Sequence, residues 1–196
     1  MEVKAKLRKK FTLIRKRNYF DINPKVFNPL ILYLQRKKIY KKRKMIISIY
    51  YPTNFEFNIL KIFENEKFKR FITLLPVIKK NNQMNFFRWN FNDVLKVNRY
   101  GILEPINKTK QYLPDIIFVP LVAYDNAKMR LGYGKGYYDK FLSAFLKNNR
   151  EVDTIGMGFS FQKFKKLPVV KHDIRLNKVF TEKGFEKWKF LFWVMY

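Results

Sequence analysis

The sequence contains no cysteine and a single histidine, His172, in 196 residues. Without cysteine, disulfide bonds and thiolate metal sites are excluded. One histidine rules out a metal site built from several histidines and argues against a serine–histidine triad. Any chemistry performed by this chain must therefore rely on carboxylates, cations, hydroxyl groups and the backbone.

Long apolar runs are also missing. The longest are Ile116–Tyr124 and Phe190–Tyr196, far short of the ~20 residues that span a bilayer. The basic N-terminus is not followed by the apolar core of a secretory signal, and no linker or repeat divides the chain. We therefore expect one domain over residues 1–196, in the cytoplasm and without a membrane partner.

Acidic residues are scarce, because 15 Asp and Glu face 42 Lys and Arg, giving a net charge of +27. Such a charge attracts polyanions, nucleic acid among them. Lys, Asn, Ile, Phe and Tyr, which AT-rich codons encode, also crowd the chain, and the basic residues are spread over its whole length. Codon bias and a selected polyanion surface both remain open, and the salt dependence of binding would separate them.

Glycine is rare as well, with seven in the chain, yet three stand at alternate positions within residues 130–139: Gly132, Gly134 and Gly136. Glycine permits left-handed backbone and close approach to the main chain, and successive N–H groups in such a loop can cradle an anion. Arg130 and Lys135 add positive charge. The spacing matches neither the dinucleotide fingerprint nor the phosphate loop of nucleoside triphosphatases, so a phosphate site and a structural turn both remain open.

The segments on either side of this loop favour a nucleotide site. Asp115–Pro120 has the apolar, β-branched composition of a buried strand, and Tyr137–Lys147 has helical periodicity. A strand, a glycine loop and a helix follow one another in the folds that hold nucleotides at the carboxyl ends of parallel strands.

The rest of the chain alternates between helical and strand patterns, which predicts an α/β fold, a three-layer α/β/α arrangement with a mostly parallel central sheet. The predicted helices cover residues 3–18, Pro24–Gln35 and Phe57–Phe68; the predicted strands are Met45–Tyr51, Phe71–Leu75 (ended by Pro76), Thr154–Phe159 and Lys178–Thr181; Asn85–Phe91 forms an antiparallel ribbon; and Gly101–Pro114 and Gln162–Arg175 are connections.

In this order, the segments resemble the 5-formyltetrahydrofolate cyclo-ligase family (methenyltetrahydrofolate synthetases) from end to end. The glycine loop with its flanking blocks in the correct order is specific, whereas any one block is weak evidence. The blocks that carry the resemblance are Lys4–Arg8, Ser48–Tyr51 with Glu56, Tyr100–Pro105, Pro114–Pro120, Arg130–Asp139, Gly156–Gln162, Leu167–Pro168 and His172–Asp173.

The resemblance implies an ATP- and Mg²⁺-dependent enzyme that converts 5-formyltetrahydrofolate, with or without a polyglutamate tail, to 5,10-methenyltetrahydrofolate. ATP phosphorylates the formyl oxygen, nitrogen-10 attacks the activated carbon, and ADP and phosphate are released. Such chemistry needs positioning and electrostatic stabilisation more than a cysteine or histidine nucleophile, which suits this composition. We expect a monomer that binds nucleic acid only through non-specific charge.

The resemblance also assigns roles to residues. Arg130 and Lys135 are the catalytic cations. The ATP contacts are Lys4, Ala5, Lys6, Leu7, Arg8, Arg130, Leu131, Gly132, Tyr133, Gly134, Lys135, Gly136, Tyr137 and Tyr138. The folate contacts are Tyr51, Glu56, Tyr133, Gly134, Lys135, Gly136 and Tyr137. The magnesium ligands are Asp139 and Asp173.

Taken alone, most of these residues also have structural explanations. Lys4 and Arg8 could form a solvated helix face, Glu56 a surface glutamate and Asp139 a helix cap. Met84 and Tyr100 could wall the pterin ring or pack in the core, and His172 is expected to be a turn residue. The competing function is a binding protein, either an inactive relative or a basic α/β module for RNA or DNA.

Overall fold

An eight-stranded sheet forms the centre of the computed structural model, which describes residues 2–39, 43–79, 83–148 and 152–186. The α-helices are α1 (Glu2–Asn18), α2 (Asn28–Ile39) and α3 (Tyr137–Lys147). The strands are β1 (Ile46–Ser48), β2 (Ile72–Ile78), β3 (Met84–Arg88), β4 (Leu95–Val97), β5 (Leu103–Pro105), β6 (Gln111–Tyr112), β7 (Ile116–Pro120), β8 (Ala123–Asp125), β9 (Arg130–Leu131), β10 (Asp153–Met157), β11 (Lys163–Phe164), β12 (Lys178–Thr181) and β13 (Gly184–Phe185). Short 3₁₀-helices cover Pro24–Phe27, Ile59–Glu64, Phe68–Arg70 and Ser160–Gln162.

The strands of the central sheet lie in the order β13-β12-β10-β7-β1-β2-β3-β6. Neighbours from β12 to β2 are parallel, whereas β13, β3 and β6 pair antiparallel at the two edges. The prediction of a mostly parallel sheet is therefore confirmed. Two small sheets, β11-β8-β9 and β4-β5, lie outside it.

Strand β7 shows why both faces of the sheet are covered. Its side chains alternate, so that Ile116 and Phe118 enter the core that contains α2, whereas Ile117 and Val119 enter the core that contains α3. Each such apolar side chain contributes roughly 1.5–3 kcal/mol when fully buried. The sequence prediction of a three-layer fold is confirmed by this packing.

Helix α1 packs outside these layers, on the segment that follows the carboxyl end of β7. Phe11 is buried there against Val122, Ala123, Leu131 and Leu167. Arg15, Lys16 and Arg17 occupy the last turn of α1, where positive charge favours the helix dipole. The packing brings α1 over the hairpin β8–β9 and thus to the start of the glycine loop.

The helix predicted over Phe57–Phe68 is not continuous, because a 3₁₀-helix covers only Ile59–Glu64 and a second one begins at Phe68 and ends at Arg70. Asparagine side chains interrupt it: Asn58 accepts a hydrogen bond from the Leu60 N–H, and Asn65 accepts one from the Lys67 N–H. Such local bonds compete with a continuous helix. The helix predicted over Pro24–Gln35 likewise begins as 3₁₀ and extends to Ile39.

One predicted strand and one predicted connection also need correction. Strand β2 continues past Pro76 to Ile78, because the pairing with β1 ends at Leu74 and β3 continues to pair beyond it. A proline is tolerated where its nitrogen needs no strand partner. The expected connection Gly101–Pro114 contains β5 and β6, which are too short to show periodicity.

Helices long and apolar enough to cross a membrane do not occur in the described ranges. The apolar segment Phe190–Tyr196 lies outside them.

Candidate active site

The glycine loop connects the end of β9 at Leu131 to the start of α3 at Tyr137. Gly134 has φ +99° and Gly136 has φ +68°, a backbone region that costs other residues conformational strain. The loop leads directly into the N-terminus of α3, where free N–H groups and the helix dipole favour an anion. Its geometry therefore fits a phosphate-binding loop.

One face of α1 carries three cations toward this loop. Lys4, Arg8 and Arg15 are four and seven residues apart, so they lie along one side of the helix. The Arg8 Nε donates to the Gly132 carbonyl at 2.8 Å, and the Lys4 Nζ lies 2.5 Å from Asp173 Oδ2. The Arg15 guanidinium donates to the Asn54 carbonyl at 2.8 Å.

The other residues of the block from Lys4 to Arg8 face elsewhere. Leu7 packs against the apolar cluster under α1. Ala5 and Lys6 are exposed, and the Lys6 Nζ lies 2.6 Å from Glu2 Oε1. Their predicted ATP contacts stay predictions, and the structure gives Lys4 and Arg8 the positions next to the loop.

Arg130 is buried and forms the base of the site. Its guanidinium donates to the Ile174 carbonyl and to Asp139 Oδ1, both at 2.7 Å, and only 4% of its side chain is exposed. The Ile174 N–H donates to the same Asp139 oxygen at 3.0 Å. Because Asp173 precedes Ile174, these bonds bring both predicted magnesium ligands to one place.

Lys135 differs from Arg130 because it is exposed at the middle of the loop. The ion pairs seen in the described part of the chain do not include it. Its side chain is therefore available to an anionic ligand.

The carboxylates of Asp139 and Asp173 suit magnesium. Asp139 Oδ1 and Asp173 Oδ2 are engaged by N–H groups and cations, whereas hydrogen bonds to Asp139 Oδ2 and Asp173 Oδ1 are not seen within the described ranges. Clusters of three or more His, Cys, Asp or Glu residues do not occur there either. Two carboxylates supplemented by phosphate oxygens and water match the usual coordination of magnesium.

Glu56 lies in a cavity of about 260 Å³ at the carboxyl end of β1, which Tyr51 also lines. Its Oε1 accepts a hydrogen bond from the Tyr133 hydroxyl at 2.5 Å, and its Oε2 accepts one from the Thr53 N–H at 2.8 Å. Tyr133 belongs to the glycine loop, so this bond joins the cavity directly to the predicted phosphate site. Asn54 and Phe55 precede Glu56 with φ of +48° and +62°, a strained backbone of the kind found at functional sites.

Burial raises the pKa of the Glu56 carboxyl, while hydrogen bonds from Tyr133 and Thr53 and the charge of Arg15 oppose that rise. The pKa of the Tyr133 hydroxyl is also raised, first by burial and then by the charge of Glu56. Tyr133 as a residue is 44% exposed, although its hydroxyl is bonded to the buried Glu56. A flat ligand could therefore contact this ring beside a fixed carboxylate.

Several predicted residues lie at the margin of the site. Tyr137 opens α3, and its ring centroid lies 6.1 Å from that of Tyr100 on the β4–β5 turn. The Tyr138 hydroxyl is buried, without a hydrogen-bond partner among the residues described. Met84 packs in the core against α3, and His172 is exposed in a turn.

A second, larger depression of about 920 Å³ lies between β2–β3 and β4–β5, next to Tyr100. We call it the basic groove; its charged residues are Lys79, Lys96, Arg99, Glu104 and Lys108. Glu104 is 5% exposed, its Oε1 lies 2.7 Å from the Lys108 Nζ, and its buried Oε2 has no partner in the described ranges. A buried carboxylate oxygen without a partner can accept a hydrogen bond from an N–H group of a ligand.

Sequence reasoning did not identify Arg15 or Glu104 as functional residues. The spacing of Arg15 from Lys4 and Arg8 was a usable signal, because it continues their stripe along the helix. Glu104 lies in the block Tyr100–Pro105 that carries part of the resemblance, but its role depends on the surrounding groove.

Gly134→Ala tests the tight approach at the loop. An added Cβ would lie 3.3 Å from the Arg8 Cζ, and alanine at φ +99° costs about 1–3 kcal/mol. We expect the KM for ATP to rise about tenfold or more, as measured by initial rates. Gly184→Ala is the matched control, because Gly184 has φ +94° with nothing within 4 Å of the added Cβ. An equal rise in the KM for ATP in the two variants would contradict a specific role for Gly134.

Comparisons with known proteins show which family this chain resembles. The sequence model of the 5-formyltetrahydrofolate cyclo-ligase family matches residues 1–182. The 5-formyltetrahydrofolate cyclo-ligase of Haemophilus influenzae is 29% identical over 136 residues, which cover 66% of this chain and 72% of the relative. The Escherichia coli K12 enzyme of that name is 32% identical over 120 residues, 58% of this chain and 65% of the relative.

A solved structure extends the likeness to nearly the whole chain. The 5,10-methenyltetrahydrofolate synthetase of Aquifex aeolicus superposes with a TM-score of 0.71 at 30% identity, covering 95% of this chain and 93% of that one. The chain therefore belongs to the 5-formyltetrahydrofolate cyclo-ligase family, and its activity is that of a 5-formyltetrahydrofolate cyclo-ligase.

Proposed function

We propose that this site uses ATP and Mg²⁺ to phosphorylate the formyl oxygen of 5-formyltetrahydrofolate. Nitrogen-10 of the folate then bonds to the activated carbon, the carbon–oxygen bond breaks, and phosphate leaves with 5,10-methenyltetrahydrofolate as product. The observation that carries the proposal is the bond between Tyr133 and Glu56, because it brings the cation-flanked glycine loop against the cavity that suits a folate ring.

On the phosphate side, the glycine loop and the start of α3 hold the triphosphate through N–H groups. Lys135 approaches the transferred phosphoryl group from the exposed middle of the loop, while Arg8 is held by the Gly132 carbonyl. Asp139 and Asp173 would hold the magnesium ion, which, when bound, neutralises charge on the phosphates. Arg130 positions Asp139 from below.

On the folate side, Glu56 supplies the fixed acceptor. Both of its oxygens are oriented, one by Tyr133 and one by Thr53, and an ionised carboxylate has lone pairs left for N–H groups of the pterin. The exposed face of Tyr133 and the partly buried Tyr51 offer apolar surface to the ring. Orientation of this kind allows the formyl group to meet the phosphoryl donor at reacting distance.

The basic groove extends this site toward the acidic end of the substrate. Every folate ends in an amide-linked glutamate, with or without further glutamates, and the amide N–H suits the unpartnered Glu104 Oε2. Lys96 and Arg99 provide positive charge for the carboxylates. The contact between Tyr100 and Tyr137 connects the groove to the glycine loop.

The test of the function is a coupled assay on the purified protein. ATP consumption should depend strictly on 5-formyltetrahydrofolate, and the absorbance of the methenyl product should appear in a 1:1 ratio with ADP. Omission of magnesium should abolish both signals. Tight binding of RNA or DNA without any folate-dependent ATP turnover would favour the competing nucleic-acid module instead.

The basic groove predicts a salt-dependent preference for longer tails. Raising sodium chloride from about 50 mM to about 500 mM should increase the KM for a triglutamate substrate several-fold more than for the monoglutamate, because salt screens exposed charges. Lys96→Gln with Arg99→Gln should remove this difference, and Lys9→Gln, an exposed lysine on α1, should leave it unchanged. Equal salt slopes for both substrates in the unmodified protein would dismiss the groove as a tail site.

We further propose that the protein acts as a cytoplasmic monomer, because α1, the glycine loop and the loop after β1 of one chain already surround the site. Sedimentation equilibrium at assay concentration tests the monomer, and a stable dimer would contradict it.

A further inference from the structure

Arg15 is an unusual residue in this structure because its charged side chain is enclosed. It is 1% exposed, and its guanidinium donates to the Asn54 carbonyl at 2.8 Å and more weakly to the Leu121 carbonyl at 3.4 Å. Its Nε has no partner among the described residues. A buried arginine so sparsely bonded needs a nearby negative charge to offset the loss of hydration.

Glu56 provides that charge without touching Arg15. Glu56 is 6% exposed, and its carboxylate attracts the guanidinium although the two form no ion pair within 4 Å. Tyr133 lies between them, with its ring centroid 5.6 Å from the Arg15 Cζ and its hydroxyl bonded to Glu56 Oε1. Arginine, tyrosine and glutamate thus form a row that ends at the folate cavity.

Arg15 also holds the backbone that presents Glu56. The carbonyl that it binds belongs to Asn54, which has φ +48° and is followed by Phe55 with φ +62°. Two successive residues in this region are strained and persist only where other contacts impose them. The hydrogen bond from Arg15 on α1 to the Asn54 carbonyl is such a contact, and Asn54 is two residues before Glu56.

We propose that Arg15 is a positioning residue, which fixes the strained turn before Glu56 and balances its charge so that the carboxylate can orient the pterin. The proposal rests on the proposed role of Glu56 in folate binding. Arg15 is 1% exposed and does not line the cavity that contains Glu56, so it acts on the substrate only through its neighbours.

The surroundings of Glu56 make this charge balance measurable. Five groups from the elements packed around it influence its charge: Arg15 from α1, Tyr50 and Thr53 from the segment after β1, Tyr133 from the glycine loop and Tyr138 from α3. Burial raises the pKa of each of the three tyrosines, so they stay neutral near pH 7. Arg15 therefore supplies the positive charge of this group.

The first experiment separates charge from packing with Arg15→Met and Arg15→Lys. Loss of the charge should raise the pKa of Glu56, so the acidic limb of kcat/KM against pH should move upward by about one unit. At pH 7, the KM for 5-formyltetrahydrofolate should rise about tenfold in Arg15→Met while the KM for ATP stays unchanged. Arg15→Lys keeps the charge and should keep the position of the limb. Arg17→Met, on the exposed side of α1, should behave as the unmodified protein, and an unshifted limb in Arg15→Met would overturn the proposal.

The second experiment measures the coupling through thermal unfolding and does not depend on activity. If Glu56 and Arg15 balance each other, the double variant Arg15→Met/Glu56→Gln should lose less in Tm than the sum of the two single variants. Should either single variant fail to fold, recovery of folding in the double variant supports the coupling, and its failure to recover overturns it. Additive losses overturn it as well. An inactive unmodified enzyme would refute the proposed function and leave this cycle intact.

The pH dependence of thermal unfolding gives a further test, because the proposal fixes the direction in which the Tm deficit changes with pH. The folded-state pKa of Glu56 is raised by burial, so its stabilising contribution is present below the unfolded-state pKa and is lost as pH rises through the folded value. Removal of Arg15 raises that folded value further. The Tm deficit of Arg15→Met should therefore be larger at pH 8 than at pH 5, and a deficit independent of pH would speak against the charge balance.

Discussion

Lys135→Ala is expected to lower kcat about 10²–10³-fold with no change in the fold. Lys135 is exposed, and the ion pairs of the described ranges do not include it, so its removal takes little from stability. The Lys135→Ala variant loses the cation that we expect beside the transferred phosphoryl group. Steady-state rates of methenyl formation, compared with Tm from circular dichroism, measure the two effects separately.

The backbone around Lys135 explains why so exposed a side chain can be effective. Gly134 and Gly136 flank it with positive φ, which turns the chain sharply on both sides and fixes the direction in which the lysine leaves the loop. Lys140→Ala is the matched control, because Lys140 is an exposed lysine on α3 just after the loop. If Lys135→Ala turns over as fast as Lys140→Ala, the assignment of Lys135 as a catalytic cation is wrong.

The elements that could be predicted from the sequence are those whose own residues determine them. Strand β12 matches its predicted bounds, Lys178–Thr181, and helix α3 matches Tyr137–Lys147. Each of these two segments has a clear hydrophobic periodicity and clear boundaries in the sequence. The segment Phe57–Phe68 has similar apolar spacing, but its asparagines divide it and its side chains enter a shared core. Tertiary packing therefore determines the structure of this segment, and the local sequence pattern carries no information about that packing.

The same distinction holds for the site. Lys4, Arg8, Arg130 and Lys135 could be named from the sequence because they lie in blocks that resemble the family. For Arg15 the sequence offers only its place on the same helix face as Lys4 and Arg8, because its role comes from the Asn54 carbonyl and the Glu56 charge, about forty residues along the chain. Those contacts exist only after α1 has packed on the β8–β9 hairpin.

The ion pair between Arg130 and Asp139 below the loop is expected to contribute more to folding stability than the exposed ion pairs do. Arg130→Met should lower the free energy of unfolding by about 3–5 kcal/mol, because it leaves Asp139 and the Ile174 carbonyl without the partner that both share. Side-chain exposure of 25% at Asp139 allows some hydration, which places the effect toward the lower value. Urea unfolding followed by tryptophan fluorescence measures the loss.

Lys69→Met provides the comparison, since the Lys69 Nζ also pairs with a carboxylate, that of Glu66, but 56% and 80% of the two side chains are exposed. A surface pair of this kind contributes about 0–1 kcal/mol, so the two variants should differ several-fold in their effect. Adding Asp139→Asn to Arg130→Met removes the unpaired charge and should restore part of the stability. It should not restore activity, because the same change removes a proposed magnesium ligand. Full stability in Arg130→Met would mean that the pair does not hold the start of α3, and recovery of turnover in the double variant would mean that Asp139 does not hold the metal.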